Sequence, residues 1–376
     1  MIKKKLIIVT TVPQTVYYIL KDQPRFLSNL YDVKIVTSSG PEVSKIKERE
    51  EVDIYEIDMK RKISLFSDLI SLFKLIKLFI RIRPEIVHSF TPKAGLLAML
   101  AAFFARVRFR IHTFTGLIFP SRKGFSRKLL IFTDKLTALC ATNVIAESIG
   151  VRNELKSANK SLKDIHIIRY GNIAGVDEKF FSPTSQNEKN SSRQKFNIPK
   201  EAFVFCYIGR LNYEKGIAEL IEAFYELTGN IYLVIVGAID SSSPLDKKII
   251  DLIDSHPNIL SLGLREDVKT IYSLADVNVM ASHREGFSNV ILEASSMGVP
   301  SISSDVNGSR EVIIEKKTGW LVPIKDKKLL KKALISSMDE NIDLNLLGIN
   351  CRKLVIKRFR RADYLNSLKS FYNRLE

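Results

Sequence analysis

Residues 283–300 read HREGFSNVILEASSMGVP and lie between two strand candidates, VNVMAS before them and PSISSD at their end. The segment SNVILEASSM has the length of a helix. Ser288 is placed to cap its start, and Gly298 followed by Pro300 marks its end. A strand, a helix and a second strand in this order are typical of a parallel sheet with crossover helices. The stretch therefore predicts one βαβ unit of an α/β fold.

Two series of strand candidates extend this pattern along the chain. The first is KLIIVT, DVKIVTS, EIVHSF, FRIHTF and TNVIAES; the second is FVFCYIGR, IYLVIVGA, NILSLG, VNVMAS, PSISSD and GWLVPI. Segments able to form helices separate the members of each series. The 376 residues also exceed what one hydrophobic core usually serves, since a domain holds about 150 residues. We therefore predict two Rossmann-like, doubly wound α/β domains facing a cleft.

A junction with turn-forming glycines and a proline, HIIRYGNIAGVDEKFFSP, separates the two series. We place an N-terminal domain at residues 1–175 and a C-terminal domain at residues 176–355. The polar stretch TSQNEKNSSRQ, directly after the junction, is predicted to be a surface loop. Residues 356–376 form a third segment, whose apolar residues recur at helical spacing, and we expect this final helix to return to the N-terminal domain.

Positive charge is concentrated in the N-terminal half of the chain. The net charge is +17, and residues 1–180 contribute +14 of it, from 31 Lys and Arg against 17 Asp and Glu. Nucleic acid, an anionic membrane surface and a phosphate-bearing substrate are the candidate partners. Three scattered cysteines fit neither a disulfide framework nor a metal site. We expect no secretory signal and no transmembrane helix, because the apolar runs are too short for either.

The opening stretch also contains two acids, Glu285 and Glu293, eight positions apart. Glu285 precedes the predicted helix and Glu293 lies in its second turn, so both can border the carboxyl edge of the sheet, where ligands bind in open α/β folds. The helix start, at Asn289 to Ile291, offers backbone N–H groups to an anion. The spacing equally fits one acid favoured by the helix dipole and one solvated acid on an amphipathic helix.

A second motif favours a phosphate-bearing ligand. After the strand FVFCYIG come Gly209-Arg210, then LNYE, then Lys215-Gly216 and an apolar helix. Arg210 can hold a diphosphate in bidentate fashion and Lys215 adds a point charge, although either side chain alone is more often simply solvated. The chain lacks a D-x-D motif that would hold a divalent metal on a diphosphate, so Arg, Lys and a helix dipole would have to neutralise a diphosphate bound here.

These motifs resemble the donor half of the family 4 (group 1) retaining glycosyltransferases of GT-B fold. The resemblance rests on GRLNYEKG, on GLREDVKTIYSLADVNVMASHREGFSNVILEASSMGVPSISSDVNGSREVI with its E-x7-E signature, and on TGWLVP. HSFTPKAGLLAML, IHTFTGL and GNIAGVD extend it more weakly into the N-terminal half. The sequence looks closest to the bacterial branch that extends lipid-diphosphate-linked oligosaccharides in surface-polysaccharide or glycan assembly, such as capsule or O-antigen.

The resemblance implies that a sugar is transferred with retention from a nucleotide diphosphate, UDP-hexose or UDP-N-acetylhexosamine. The acceptor would be a polyprenyl-diphosphate-linked saccharide held by the N-terminal domain, and neither a cofactor nor a metal is expected. Arg210 and Lys215 would hold the diphosphate, Glu285 would face the donor sugar and Glu293 the ribose. The full donor-binding set implied is Gly209, Arg210, Lys215, Arg265, Glu285, Gly286, Phe287, Asn289, Val290, Ile291 and Glu293, of which Glu285, Arg210 and Lys215 are the catalytic candidates.

Acceptor-side candidates lie in the N-terminal half. His88 ends a strand candidate and could contact the acceptor, but a packing role is as probable; Lys93 could reach an acceptor phosphate or be solvated. A histidine found in the catalytic region of many relatives falls at Thr115, next to Gly116, which is expected in a tight loop at the cleft. His112 lies three residues upstream of Thr115 and would face the other side of a strand.

Residues 60–84, KRKISLFSDLISLFKLIKLFIRIRP, join a basic start, KRK, to an apolar helix pattern that includes four further basic residues, Lys74, Lys77, Arg81 and Arg83. They predict either an interfacial helix on anionic lipid or a core helix with its basic face in water; charge asymmetry favours the first. We therefore expect a cytoplasmic protein held at the inner face of the cell membrane.

Two other functions fit parts of the sequence. A sugar-nucleotide epimerase of the same fold would use the donor site without an acceptor. A basic nucleic-acid-binding protein would explain the charge, but the chain has none of the motifs of such modules, and we expect no nucleic-acid partner.

Overall fold

The computed structural model describes residues 3–60, 64–160, 162, 164–240 and 243–375. They form two units. One unit contains the chain as far as Ala174 together with the last helix from Ala362, and the other contains Gly175–Arg361.

The first unit is built on a parallel sheet of seven strands in the order β3-β2-β1-β4-β5-β6-β7. Its strands are β1 (Lys5–Val9), β2 (Asp32–Thr37), β3 (Asp53–Glu56), β4 (Ile86–Phe90), β5 (Phe109–Phe114), β6 (Asn143–Ala146) and β7 (Ile165–His166). Its helices are α1 (Gln23–Ser28), α2 (Glu42–Glu50), α3 (Leu65–Ile82), α4 (Pro92–Phe104), α5 (Gly124–Cys140) and α6 (Ile149–Ala158), with a π-helical turn at Thr15–Ile19 and a 3-10 turn at Phe119–Ser121. All five predicted strands of the first series are confirmed; the short strands β3 and β7 were not predicted.

The second unit contains a parallel sheet of six strands in the order β10-β9-β8-β11-β12-β13. Its helices are α7 (Gln186–Gln194), α8 (Ile217–Phe224), α9 (Lys247–Ser255), α10 (Val268–Leu274), α11 (Asn289–Ser296), α12 (Ser309–Val312), α13 (Lys327–Ser337) and α14 (Leu344–Arg358). Its strands are β8 (Phe203–Ile208), β9 (Ile231–Val236), β10 (Ile259–Ser261), β11 (Val277–Met280), β12 (Ser301–Ser304) and β13 (Gly319–Val322), with a 3-10 turn at Tyr213–Lys215. The six strands of the second series are confirmed.

Both sheets are buried on two faces. In the first unit α3, α4 and α5 cover one face, and α1, α2 and the last helix, α15 (Arg361–Asn373), pack on the side of the other face. β-branched side chains that alternate between the faces of β1, such as Ile7 and Ile8, enter two different clusters. Across the described residues, no helix combines the length and apolarity needed to cross a bilayer.

The prediction of a surface loop at TSQNEKNSSRQ is wrong, because residues of this stretch form α7. Ser185 and Glu188 make a capping box, in which each side chain bonds the other residue's backbone N–H. Arg193 is buried and forms an ion pair with Asp276 at 2.7 Å. The capping box and this ion pair stabilise the helix. It lacks the apolar stripe from which a helix is usually predicted.

Candidate active site

In the second unit the order of the strands reverses between β8 and β11, which are parallel neighbours. Loops that leave the carboxyl ends of such a strand pair run in opposite directions and open a crevice between them. The loop after β8 contains Arg210 and Lys215, and the loop after β11 contains Glu285 and ends at α11. The structure thus brings the two sequence motifs to one edge of one sheet.

Each of the two predicted cations is paired with a carboxylate. Lys215 Nζ lies 2.5 Å from Glu285 Oε1, and both side chains are largely buried. Arg210, whose side chain is half exposed, forms a short ion pair with Asp240 at the end of the loop after β9. Asp240 also accepts a hydrogen bond from Asn212 Nδ2 at 3.1 Å. Each cation predicted to hold the diphosphate therefore already has a carboxylate partner.

The two loops are joined by further contacts around Lys215. Arg284 forms an ion pair with Glu214 at 3.2 Å, and the backbone N–H of His283 donates to the carbonyl of Glu214 at 2.8 Å. Gly216 allows this approach: its φ is +64°, and a Cβ added there would lie 1.9 Å from the carbonyl oxygen of Ala281. A side chain at this position would push the loops apart.

A buried acid and an imidazole lie behind the Lys215–Glu285 pair. His283 Nε2 lies 2.7 Å from Glu219 Oε1, at the start of α8. Burial acts to raise the pKa of Glu219, but the hydrogen bond and charge of His283 outweigh it and lower that pKa below its ordinary value. Neither residue was predicted from the sequence: His283 opens the stretch that contains Glu285 but was not singled out, and Glu219 lies on an apolar helix with no motif of its own. Their contact links α8 to the loop of Glu285.

Helix α11 has the predicted ends. Ser288 occupies the N-cap position and Gly298, at φ +78°, follows the C-cap residue. The hydroxyl of Ser288 accepts no capping bond from the helix, so the first turn is not closed by its own cap residue. Glu293 accepts a hydrogen bond from the Tyr272 hydroxyl at 3.0 Å. Burial, with the charge of Glu293, raises the pKa of Tyr272 well above its ordinary value, so this hydroxyl keeps its proton.

The other predicted donor-side residues lie on the same edge of the sheet. Gly286 and Phe287 are buried just before α11, and Gly308, at φ +78°, approaches them so closely that an added Cβ would lie 2.6 Å from Phe287 Cα. Arg265, in the loop after β10, makes a two-point ion pair with Asp267 at 2.7 and 2.8 Å. Gly209 ends β8, and Asn289, Val290 and Ile291 form the first turn of α11.

The expectation that His88 contacts an acceptor is not supported. His88 is fully buried, its Nδ1 lies 2.6 Å from the Tyr372 hydroxyl, and its Nε2 lies 2.7 Å from the Thr113 hydroxyl. Burial lowers the pKa of His88 well below its ordinary value, so the ring is neutral. Both ring nitrogens are used within the first unit. His88 is a packing residue that ties α15 to the sheet.

Lys93 is not a solvated cation, because it forms an ion pair with Asp68 of α3 at 2.5 Å, with both side chains mostly buried. Thr115 and Gly116 follow β5 at the carboxyl edge of the sheet, and Gly116 has φ +94°, as a tight loop requires. His112 lies on the opposite side of the sheet from Thr113, packed on Gly95 of α4.

Two threonines that the sequence did not single out lie at the corresponding switch point of the first unit, between β1 and β4. The hydroxyls of Thr11 and Thr91 are 2.7 Å apart, and the Thr11 hydroxyl accepts from the backbone N–H of Ala94 in the first turn of α4. Thr91 has φ +71°, a conformation that β-branched residues rarely adopt. The sequence predicted where β1 and β4 end, but not that these strands are neighbours at the point where the strand order reverses. That reversal would have marked the two threonines as candidates.

The stretch predicted as an interfacial helix contains α3, and its first residues, 61–63, lie outside the described residues. Ser71, Leu75, Phe79 and Ile82 face the core, whereas the basic residues Lys74, Lys77, Arg81 and Arg83 are exposed. An apolar row is exposed as well, formed by Leu65, Phe66, Leu69, Ile70, Phe73 and Ile80. The helix therefore has a core face and a second apolar face in solvent.

Comparisons with known proteins agree with this geometry. The family described as "Glycosyl transferases group 1" matches residues 188–354, and "Glycosyl transferase 4-like" matches residues 10–148. The chain is 33% identical over 348 residues to the capsular polysaccharide biosynthesis glycosyltransferase CapM of Staphylococcus aureus, which covers 91% of this chain and 90% of CapM. It is 30% identical over 321 residues to the UDP-Gal:alpha-D-GlcNAc-diphosphoundecaprenol alpha-1,3-galactosyltransferase of Escherichia coli, covering 83% of this chain and 81% of that enzyme.

The crystal structure of Anabaena Alr3699/HepE in complex with UDP and glucose is similar in fold, with a TM-score of 0.84, 17% identity, and coverage of 99% of this chain and 100% of that one. The two parallel-sheet units and these matches define the class of the protein: it is a glycosyltransferase of GT-B fold. More particularly, the chain belongs to the group 1, or family 4, glycosyltransferases.

Proposed function

We propose that this glycosyltransferase moves a sugar, with retention of its configuration, from a UDP-hexose or UDP-N-acetylhexosamine to a polyprenyl-diphosphate-linked saccharide in surface-polysaccharide assembly. The observation that carries the donor half of the proposal is the cluster of Arg210, Lys215, Glu285 and the start of α11 at one sheet edge. Two cations beside a helix N-terminus are suited to a diphosphate. The printed activities of the relatives in Staphylococcus aureus and Escherichia coli support the acceptor half.

Donor binding exchanges one set of ionic contacts for another. The diphosphate competes with Glu285 for Lys215 and with Asp240 for Arg210, since each cation already has a carboxylate partner. Release from Lys215 leaves the Glu285 carboxylate available to accept hydrogen bonds from hydroxyls of the donor sugar. Glu293, at the next turn, is assigned to the ribose. Binding of the diphosphate thus orients the acid that faces the sugar.

Leaving-group stabilisation comes from the same residues. As the glycosidic bond to the diphosphate breaks, negative charge grows on the departing phosphate, and Arg210, Lys215 and the α11 dipole are placed to stabilise it. We propose that this replaces a bound metal ion. Transfer should accordingly be unchanged when EDTA is added, and a loss that Mg²⁺ or Mn²⁺ restores would contradict the proposal.

The first unit is assigned to the acceptor, and its carboxyl edge contains Thr11, Thr91, Thr115 and Gly116. The exposed apolar and basic face of α3 is suited to an anionic membrane, where a lipid-linked acceptor resides. We propose peripheral association with the inner face of the cell membrane. Sedimentation with phosphatidylglycerol-containing vesicles tests this: changing Lys74, Lys77, Arg81 and Arg83 together to Gln should release the protein, and unchanged sedimentation would contradict it.

Calorimetric titration with UDP, GDP and ADP tests the donor site. UDP should bind, Arg210→Ala and Lys215→Ala should weaken binding and lower transfer on the order of 10²-fold each, and a single-stranded oligonucleotide should not bind. Lys331→Ala is the matched control, because Lys331 also forms an ion pair, with Glu226 at 2.9 Å, but on α13 away from this edge. Unchanged transfer in both site variants would refute the diphosphate assignment.

Glu285→Gln separates the roles of the acid. Because the substitution removes the carboxylate that occupies Lys215, UDP should bind at least as tightly as in the parent enzyme, while transfer falls. Glu293→Gln should mainly weaken donor binding. Weakened UDP binding with normal turnover in Glu285→Gln would contradict the exchange of partners.

A further inference from the structure

An apolar row that no sequence motif marked lies on α5. Phe125, Phe132 and Leu139 are 60–80% exposed and follow one another at intervals of seven residues, so they share one face of the helix. Lys128 and Lys135 lie between them on the same face and are exposed. The row extends over 14 residues, about 20 Å of helix. A globular core cannot explain it, since the buried residues of α5 lie on the other side.

The opposite face of α5 is the one that packs on the protein. Asp134, Thr137, Ala138 and Cys140 are buried there, and α5 packs against α4. Helix α4 packs against α3 on its other flank, and its middle is buried. The exposed rows of α3 and α5 therefore flank one buried helix on the same face of the first sheet. Six of the seven exposed phenylalanines among the described residues belong to α3, α4 and α5.

The end of α4 adds to this layer. Phe103 and Phe104 are exposed, and together with Arg106, Arg108 and Arg110 they line a cavity of about 500 Å³.

 The cavity at the end of α4 is lined by three arginines and no acid. The end of α4 therefore presents aromatic rings and arginines. Together with the exposed rows of α3 and α5 it forms an apolar and positively charged surface.

Charge over the whole layer has one sign. Residues 64–142 contain thirteen Lys and Arg but only three acids, Asp68, Glu85 and Asp134. Asp68 is paired with Lys93, Glu85 accepts a hydrogen bond from the backbone N–H of Lys5, and Asp134 is buried. An acidic protein could match the positive charge of these helices. It would leave the exposed apolar rows without apolar contacts. Apolar rows beside lysines match an anionic bilayer surface.

We propose that α5 is a second membrane-binding helix, whose Phe125, Phe132 and Leu139 enter the interface of an anionic bilayer while Lys128 and Lys135 contact its headgroups. With the row on α3 it makes two parallel lines of contact that flank α4. Two lines restrict rotation about either helix, so they hold the first unit in one orientation on the bilayer. The inference rests on the proposed membrane association and adds to it the surface and the orientation.

Tryptophan fluorescence tests each line of contact separately. The chain has one tryptophan, the buried Trp320, so a Trp320→Phe background lets single tryptophans report position. Phe73→Trp reports α3, Phe132→Trp reports α5, and Tyr225→Trp, an exposed aromatic position of the second unit, is the control. With vesicles of phosphatidylcholine and phosphatidylglycerol, the first two should shift to the blue and be quenched by brominated lipid, and the third should not.

A blue shift at Phe73→Trp without one at Phe132→Trp would overturn the second line and leave the association through α3 intact. A shift at Phe132→Trp that grows with protein concentration in the absence of lipid would mean that a second copy of the chain covers α5, and would also overturn the proposal. UDP titration of each variant separates these outcomes from a failure of the donor site, because none of the three positions belongs to it.

Substitutions supply the second measurement. Lys128→Gln with Lys135→Gln should weaken vesicle binding by about 25-fold, since each basic residue near an anionic surface contributes about a fivefold factor. Phe125→Ser, Phe132→Ser and Leu139→Ser together should release the protein. Leu346→Ser with Ile349→Ser, apolar positions on α14 that are each 52% exposed, should not. Equal binding by all variants would overturn the proposal.

Discussion

Gly216→Ala tests whether the donor site depends on the close approach of two loops. The added Cβ would lie 1.9 Å from the carbonyl oxygen of Ala281, whereas such contacts are not found below 3.0 Å, so the loops must separate by about 1 Å. The left-handed conformation of Gly216, φ +64°, would cost alanine about a further 1–2 kcal/mol. Both effects act on the turn that contains Lys215.

Separation of the loops breaks two contacts. The hydrogen bond from the His283 N–H to the Glu214 carbonyl, 2.8 Å long, is lost, and the Lys215–Glu285 ion pair lengthens. At roughly 1 kcal/mol for each contact, added to the backbone cost, the free energy of unfolding should fall by about 3–4 kcal/mol. A displacement of about 1 Å at Lys215 should lower transfer on the order of 10²-fold.

Urea denaturation and a transfer assay measure the two effects. Gly263→Ala is the matched control, because Gly263 also has φ +64° but no heavy atom lies within 4 Å of an added Cβ. It should carry the backbone cost alone, about 1–2 kcal/mol. If Gly216→Ala is no less stable than Gly263→Ala and retains its turnover, the close approach of the loops does not organise the donor site.

Three further predictions concern buried polar groups. Burial raises the pKa of Asp134 to about 7, so the unfolded state loses its proton first and stability falls as pH rises from about 4 to 7; Asp134→Asn should raise Tm by several degrees at pH 8 and little at pH 4, by scanning calorimetry. His283→Ala should lower kcat roughly tenfold at unchanged UDP affinity, and His283→Gln, which can still donate to Glu219, should restore it; equal losses would contradict a positioning role. Arg193→Met should cost about 3–5 kcal/mol in urea denaturation, because it removes a buried guanidinium that pairs with Asp276 and donates to three backbone carbonyls, those of Leu274, Lys200 and Ala202. Asp276→Asn should cost less, because it leaves those three hydrogen bonds in place.

Sequence patterns predicted the strands well because the interior of a parallel sheet demands continuous apolar, β-branched runs. The short strands β3 and β7 were not predicted, since Asp53–Glu56 is half polar and Ile165–His166 has only two residues. Helix α7 was not predicted for a different reason. Its capping box was readable, but its stability comes from Arg193, whose partner Asp276 is more than eighty residues away along the chain.

The candidate site was predictable in its composition and not in its pairing. Arg210, Lys215 and Glu285 stand in motifs that strand–loop–helix spacing makes visible. That Lys215 pairs with Glu285 and Arg210 with Asp240 follows from the adjacency of β8 with β11 and of β8 with β9, which strand order decides. For His88 the sequence could not decide between an acceptor contact and a packing role. Its burial depends on Tyr372 in α15, almost three hundred residues later.

By itself the sequence determined the two α/β units, the ends of α11 and the residues of the donor motifs, because periodicity, caps and turns act over a few neighbouring residues. Tertiary structure alone decided which carboxylate meets which cation, and which face of α5 is covered. Both α5 faces contain apolar side chains, and only packing against distant elements, such as Phe114 of β5 and Val144 of β6, buries Ala138 while Phe132 stays in solvent. Local rules place a side chain on an element, but its environment is set by elements that are distant in the chain.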